Sequence, residues 1–161
     1  MSKFTDWLKG IFRGDVSLAP AEDWLLRQFV DKLPPHLMPI VQKHIASYNR
    51  MYREVDGRAI NFYCRPEISS GFPSLSMDSD EAPLIRITVS VNGADKPIHA
   101  TLTAVHGRVF CMSFSQPVKH ILPASMQLIK VKDAWCSNFP ASASNNSFKP
   151  NPLRGSASFR R

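Results

Sequence analysis

The sequence predicts a two-layer α+β fold, with N-terminal helices packed on one face of an antiparallel sheet of four or five strands. Three observations predict it. Apolar residues recur at helical spacing up to Gly57, the period falls to two from Ala59 onward, and Asn92-Gly93 and His106-Gly107 supply turns between the later runs. Helices come first and an antiparallel meander follows.

The first helical stripe is Phe4, Trp7, Leu8, Ile11 and Phe12, at i, i+3, i+4, i+7 and i+8. Ser2 is placed to cap it and Gly14 to end it. Ser17, Pro20, Glu22 and Asp23 then read as a helix start, with proline in the first turn and acids near the positive end of the dipole. Leu25, Leu26, Phe29, Val30 and Leu33 continue that helix until Pro34-Pro35. The next stripe is Leu37, Ile40, Val41, His44, Ile45, Tyr48, Tyr52 and Val55, with Gly57 as the cap and Lys43, Arg50 and Arg53 on a solvated side.

The period then falls to two. Ala59 to Cys64 reads as a short strand, residues 65–83 as a long functional or mobile loop, and Ile85 to Val91 as a strand with one wet face. Asn92-Gly93 opens a turn into Ile98 to Ala104, His106-Gly107 turns again into Val109 to Phe114, and Met126 to Val131 is the last strand. Residues 137–161, rich in Ser and Asn without an apolar period, read as a disordered basic tail. The expected organisation is an amphipathic helix over 1–14, a single α+β domain over 15–136 and the tail over 137–161. This element order resembles the cystatin-like and NTF2-like cones, in which a curved sheet wraps a helix and encloses a cavity. The resemblance implies an architecture and assigns no functional residue.

Charge narrows the partners. The chain of 161 residues carries a formal net charge of +7, with 43% hydrophobic and 10% aromatic residues. Lys3, Lys9 and Arg13 against Asp6 leave residues 1–13 at +2. Lys149, Arg154, Arg160 and Arg161 leave residues 137–161 at +4, and the body is nearly neutral. A nucleic-acid interface on the body is therefore disfavoured. With no apolar run of membrane-spanning length and no secretory leader, a cytoplasmic protein is expected. Cys64, Cys111 and Cys136 form no Cys-x-x-Cys pair, so free thiols are expected rather than a disulfide framework.

No phosphate-binding glycine loop, nucleophile elbow or zinc motif occurs, and no Asp or Glu lies between Asp95 and Asp133. Paired-carboxylate catalysis from those strands is excluded. Asp78, Asp80 and Glu81 form an acidic cluster without the glycine or distal glutamate of a calcium loop. His99, His106 and His120 read as surface or structural histidines. His44 shares an apolar stripe, so it is either a neutral core histidine bonded to a backbone partner or, with Tyr48 and Tyr52, the mouth of a pocket. Cys111 lies between Phe110 and Met112 and reads as a small hydrophobe before a nucleophile.

Two functions remain. The first is a non-catalytic binding or adaptor protein of bacterial type, acting through its sheet face, tail, or N-terminal helix with the interaction candidates Phe4, Trp7, Leu8, Ile11 and Phe12. The second is a small pocket enzyme or ligand carrier using His44, Tyr48 and Cys111. No cofactor and no metal are expected. The N-terminal stripe is expected to dock first on its own domain; the expected partner is a protein or a second copy, with peripheral contact to an anionic membrane ranked below them.

Overall fold

The computed structural model describes residues 17–64, 71 and 73–133. The amphipathic helix read over 1–14 and the tail over 137–161 lie outside these residues. The described chain contains α1 (Pro20–Asp31), α2 (Met38–Ser47), and strands β1 (Arg50–Arg53), β2 (Ala59–Tyr63), β3 (Glu81–Val91), β4 (Ile98–Val105), β5 (Arg108–Phe114) and β6 (Met126–Asp133). A single 3-10 turn, Pro123–Ser125, leads into β6. Two N-terminal helices and an antiparallel sheet make the α+β arrangement that the periodicities predict, with six strands instead of four or five.

The strand order is β1-β2-β5-β4-β3-β6. β3, β4 and β5 form a consecutive meander, the β1–β2 hairpin adds to β5, and β6 returns to the far side of β3. Inward residues such as Ile60, Met112, Leu102 and Ile85 share one register row and meet Leu25, Phe29 and Val41 of the helices in one core. The opposite sheet face bears no helix among the described residues. There Tyr52, Asn61, Cys111 and Thr103 follow one row, and Lys132, Arg86 and Thr101 follow another.

The sixth strand corrects one expectation. α2 stops at Ser47 instead of running to Val55, because Tyr48 turns to extended backbone and Asn49 N–H donates to the Tyr63 carbonyl at 3.1 Å. Pairing with β2 captures residues 50–53 as a strand, and Val55 becomes fully exposed. Gly57, at φ +69°, closes the β1–β2 hairpin and caps no helix. The left-handed conformation was legible from the glycine; the element it serves was not.

Two smaller corrections follow. The cap of α1 is Ala19, not Ser17. β3 begins at Glu81, not Ile85, with a register shift between Pro83 and Ile85. Pro83 lies beyond the reach of β6, which pairs only from Ile85 onward, so its missing N–H deprives that strand of nothing. Residues 73–80 are partly packed: Leu75 is buried and its N–H donates to the Gly107 carbonyl at 2.8 Å.

The β4–β5 turn explains that close approach. His106 and Gly107 both have positive φ, 48° and 76°, the signature of a two-residue type I′ hairpin. A Cβ at Gly107 would lie 1.9 Å from Ser74 Oγ and 2.8 Å from the Leu75 carbonyl oxygen. Only glycine lets residues 74–75 lie over this turn. No helix among the described residues is long and apolar enough to cross a membrane.

Candidate functional site

His44 and Tyr48 stand four residues apart at the C-terminal end of α2, and both reach the same residue of β5. His44 is 2% exposed. Its Nε2 lies 2.7 Å from the Pro73 carbonyl, and its Nδ1 lies 3.4 Å from the Val109 N–H. A carbonyl on one side and a donor on the other define a neutral ring protonated at Nε2 and accepting at Nδ1. Burial lowers its pKa first; the Pro73 bond opposes that and the nearby Arg108 charge reinforces it. The Tyr48 hydroxyl donates to the Val109 carbonyl, so the pair grips both backbone groups of one residue. Burial raises the Tyr48 pKa well above the ordinary phenol value.

Of the four pocket candidates, the structure brings together only His44 and Tyr48. Tyr52 lies on β1, 43% exposed, on the sheet face that bears no helix among the described residues. Cys111 is on that face as well, in the register row of Asn61 and Tyr52. Burial, with Glu54 and Glu81 nearby, pushes its thiol up to about 11, which leaves little thiolate at neutral pH. Cys64 and Cys111 are both free thiols. His99 is exposed beside Thr88, His106 faces Asp80 at 3.5 Å in the exposed turn, and His120 is exposed in a loop. No group of three His, Cys, Asp or Glu among the described residues is placed to hold a metal ion.

A second anchor escaped the sequence reading. Glu22 is 0% exposed, and its carboxylate accepts from Arg53 Nε at 2.8 Å and Nη2 at 2.6 Å and from the Ala19 N–H at 2.6 Å. This is half of a capping box, since Ala19 has no side-chain oxygen to return the bond. Arg53, read as part of a solvated helix side, is instead the β1 residue that neutralises α1's first turn. The Pro20-Ala-Glu22 start carried the helix signal; the partner 31 residues away had none.

A groove of about 540 Å³ opens where the start of α1, the end of α2, β1 and β2 meet, walled by Leu18, Leu26, Ile45, Tyr48, Met51 and Phe62. Tyr48 and Phe62 stack with ring centroids 5.4 Å apart, forming its floor from the tyrosine's body while the hydroxyl points to Val109. Asp23, ion-paired with Arg27 at 2.9 Å, is the acid on its wall. A second hollow of about 330 Å³ continues along α1 and α2 and shares Asp23, Leu26 and Ile45 with the first. His44 is not on either wall. The interaction candidates Phe4, Trp7, Leu8, Ile11 and Phe12 fall outside the described residues.

Searches of protein-family models, of curated proteins and of solved structures find no match to this chain.

Proposed function

We propose that the protein is a non-catalytic binding or adaptor module that takes an amphipathic helix, with basic flanks, into the groove between α1, α2, β1 and β2. The observation that carries this reading is the groove's composition. Its wall is aliphatic and aromatic, with one acid, Asp23, that Arg27 already pairs at 2.9 Å, and the apolar lining suits helix-in-groove recognition through residues at i, i+3, i+4 and i+7. Reaction chemistry is poorly served: both His44 nitrogens and the Tyr48 hydroxyl are bonded to backbone, and Cys111 lies on the other face of the sheet. A small-ligand carrier is the second reading, favoured by a groove volume within the ~300–1,000 Å³ of ligand sites.

The test uses the full chain carrying Trp7→Ser and Phe12→Ser, which removes the chain's own apolar stripe from competition. Labelled 14-residue amphipathic peptides with basic or acidic flanks are titrated by fluorescence anisotropy. Saturable binding of the basic-flanked peptide, weakened at least tenfold by Leu18→Lys or Ile45→Lys at unchanged melting temperature, is expected. No saturable binding of either peptide overturns the reading. A long-chain fatty acid that binds where the peptides do not makes the carrier reading the correct one.

A further inference from the structure

The near-neutral sum of charges over the body conceals a segregation that the fold creates. Acids stand on α1, around the β1–β2 and β3–β4 turns and before β3, whereas cations gather on the sheet face opposite the helices. There Arg86 of β3 lies directly across from Lys132 of β6, and Lys130 lies across from Thr88. All three cations are exposed, and none forms an ion pair among the described residues. Like charges facing each other across an antiparallel pair destabilise it. Edge lysines have a protective use, but β3 is an interior strand, so that use does not account for Arg86. The carboxylates nearest this face are remote: Glu54 follows β1, four strand steps or about 19 Å from Arg86, and Glu81 opens β3, about 17 Å along it. Both separations exceed the ~8 Å over which salt screens exposed charges.

Diagonally across the same face is an aromatic corner. Tyr52 of β1 and Tyr63 of β2 are each 43% exposed, and Tyr63 meets Phe110 of β5 edge to face at 5.6 Å. Asn61, Thr103, Thr101 and Ser113 lie between this corner and the cations and supply hydrogen-bonding groups. We propose that this face binds single-stranded nucleic acid, its bases stacked on Tyr52 and Tyr63 and its phosphates on Arg86, Lys130 and Lys132. The unpaired cations call for an anion, and the exposed rings beside them offer bases a π surface. A six-stranded sheet face cannot enter a duplex groove, which admits a helix or a two-stranded ribbon, whereas unstacked bases lie flat on such a face. Tyr63 and Lys132 are four strand steps apart, about 19 Å, so an oligonucleotide bridges them and a single nucleotide does not.

The test uses the full chain and fluorescein-labelled probes of twelve nucleotides, an oligothymidylate, an oligouridylate and a duplex, titrated by anisotropy at about 50 and 200 mM salt. Saturable binding of the single strands is expected, weakening with salt and at least tenfold tighter than to the duplex. Lys130→Glu/Lys132→Glu should weaken it at least tenfold and Arg86→Gln severalfold, each with a shallower salt dependence and an unchanged melting temperature. Tyr63→Ala should weaken it at least fivefold with the salt dependence unaltered, as the loss of one stacked base does. Replacing Lys149, Arg154, Arg160 and Arg161 with Gln controls for the basic C-terminal segment. If that variant abolishes binding while the face variants bind as the wild type does, the proposal is overturned. No saturable binding, or equal binding of the duplex, overturns it as well. Sedimentation with 3:1 phosphatidylcholine–phosphatidylserine vesicles separates the other anionic surface: vesicle binding lost in the lysine variant, without oligonucleotide binding, assigns the face to a bilayer and overturns the proposal. Where a face variant fails to fold, photocrosslinking of a 4-thiouridine strand to the wild type decides. Crosslinks on Tyr52, Tyr63 or Phe110 uphold the proposal, and crosslinks confined to residues 1–13 or 137–161 overturn it. The groove takes no part in these measurements, so its reading as a helix-binding site stands or falls separately.

Discussion

Two buried polar anchors tie the helices to the sheet, and they are built from opposite chemistry. At the start of α1, Glu22 and Arg53 form a charged, bidentate pair with the Ala19 N–H as third partner. At the end of α2, His44 and Tyr48 hold the Val109 backbone groups and the Pro73 carbonyl while staying neutral. The charged anchor takes a carboxylate out of water and depends on the guanidinium to offset that cost. The neutral anchor replaces backbone pairing that β2 does not supply, since β2 pairs with β5 only from Cys111 onward. No buried side-chain nitrogen or oxygen among the described residues lacks a partner, so both solutions are complete. They should fail differently.

The largest effect is expected at the charged anchor. Glu22→Ala withdraws the bidentate carboxylate from an arginine side chain only 12% exposed and should cost about 3–5 kcal/mol in urea unfolding. Glu22→Gln keeps the volume and should fall between that variant and the wild type. If Glu22→Ala costs under 1 kcal/mol, Arg53 is rehydrated at no expense and the two anchors are not distinct.

His44→Ala comes next. It leaves the Val109 N–H and the Pro73 carbonyl to find other partners and should cost about 2–4 kcal/mol, at roughly 1–2 kcal/mol for each orphaned group. Tyr48→Phe keeps the stacked ring and loses the donor to the Val109 carbonyl. It should cost about 1.5 kcal/mol, and the Tyr48/His44 double variant should depart from additivity because both act on one residue.

The smallest effect is in pH. The folded pKa of His44 is lowered, so below the ordinary value near 6.5 the unfolded chain binds the proton that the folded chain resists. Its contribution is fully present above pH 6.5 and is lost as pH falls through the lowered folded value, with a slope of at most about 1.4 kcal/mol per pH unit. Protonating Nδ1 would set one donor against the Val109 N–H, the geometric reason for that resistance. Chemical-denaturation midpoints between pH 7.5 and 5 should show this slope in the wild type and lose it in His44→Gln. An unchanged slope would make another group responsible.

The same contrast explains what was legible in the sequence. His44 announced itself because a histidine amid aliphatic residues at helical spacing must be buried, and a buried histidine needs partners. Glu22 and Arg53 each look like ordinary surface residues; only the fold of β1 back across α1 makes them a pair. Strands β3 and β4 were readable from alternation, since each has one face on the core and one in water, and β2 was readable from its short aromatic run. β1 was hidden because Tyr48, Tyr52 and Val55 extend the spacing of α2, and no glycine or proline stands at Asn49 to break it. Tertiary pairing with β2 decided that segment, and it carried Tyr52 away from His44. The groove was invisible for a related reason: its walls come from four elements, and no single stretch carries its pattern.

The edges of the sheet bear on how any partner can approach. β6, at one end, carries a register shift opposite Thr88 and Val89 and presents exposed Lys130 and Lys132; β1, at the other, is four residues long and carries Arg50 and Arg53. A short edge such as β1, or a cationic edge with a register shift such as β6, is a poor template for a foreign strand, which disfavours recognition by strand addition. A partner meeting those edges would make its contacts through side chains, and selectivity would fall to the shapes and charges it offers rather than to its backbone.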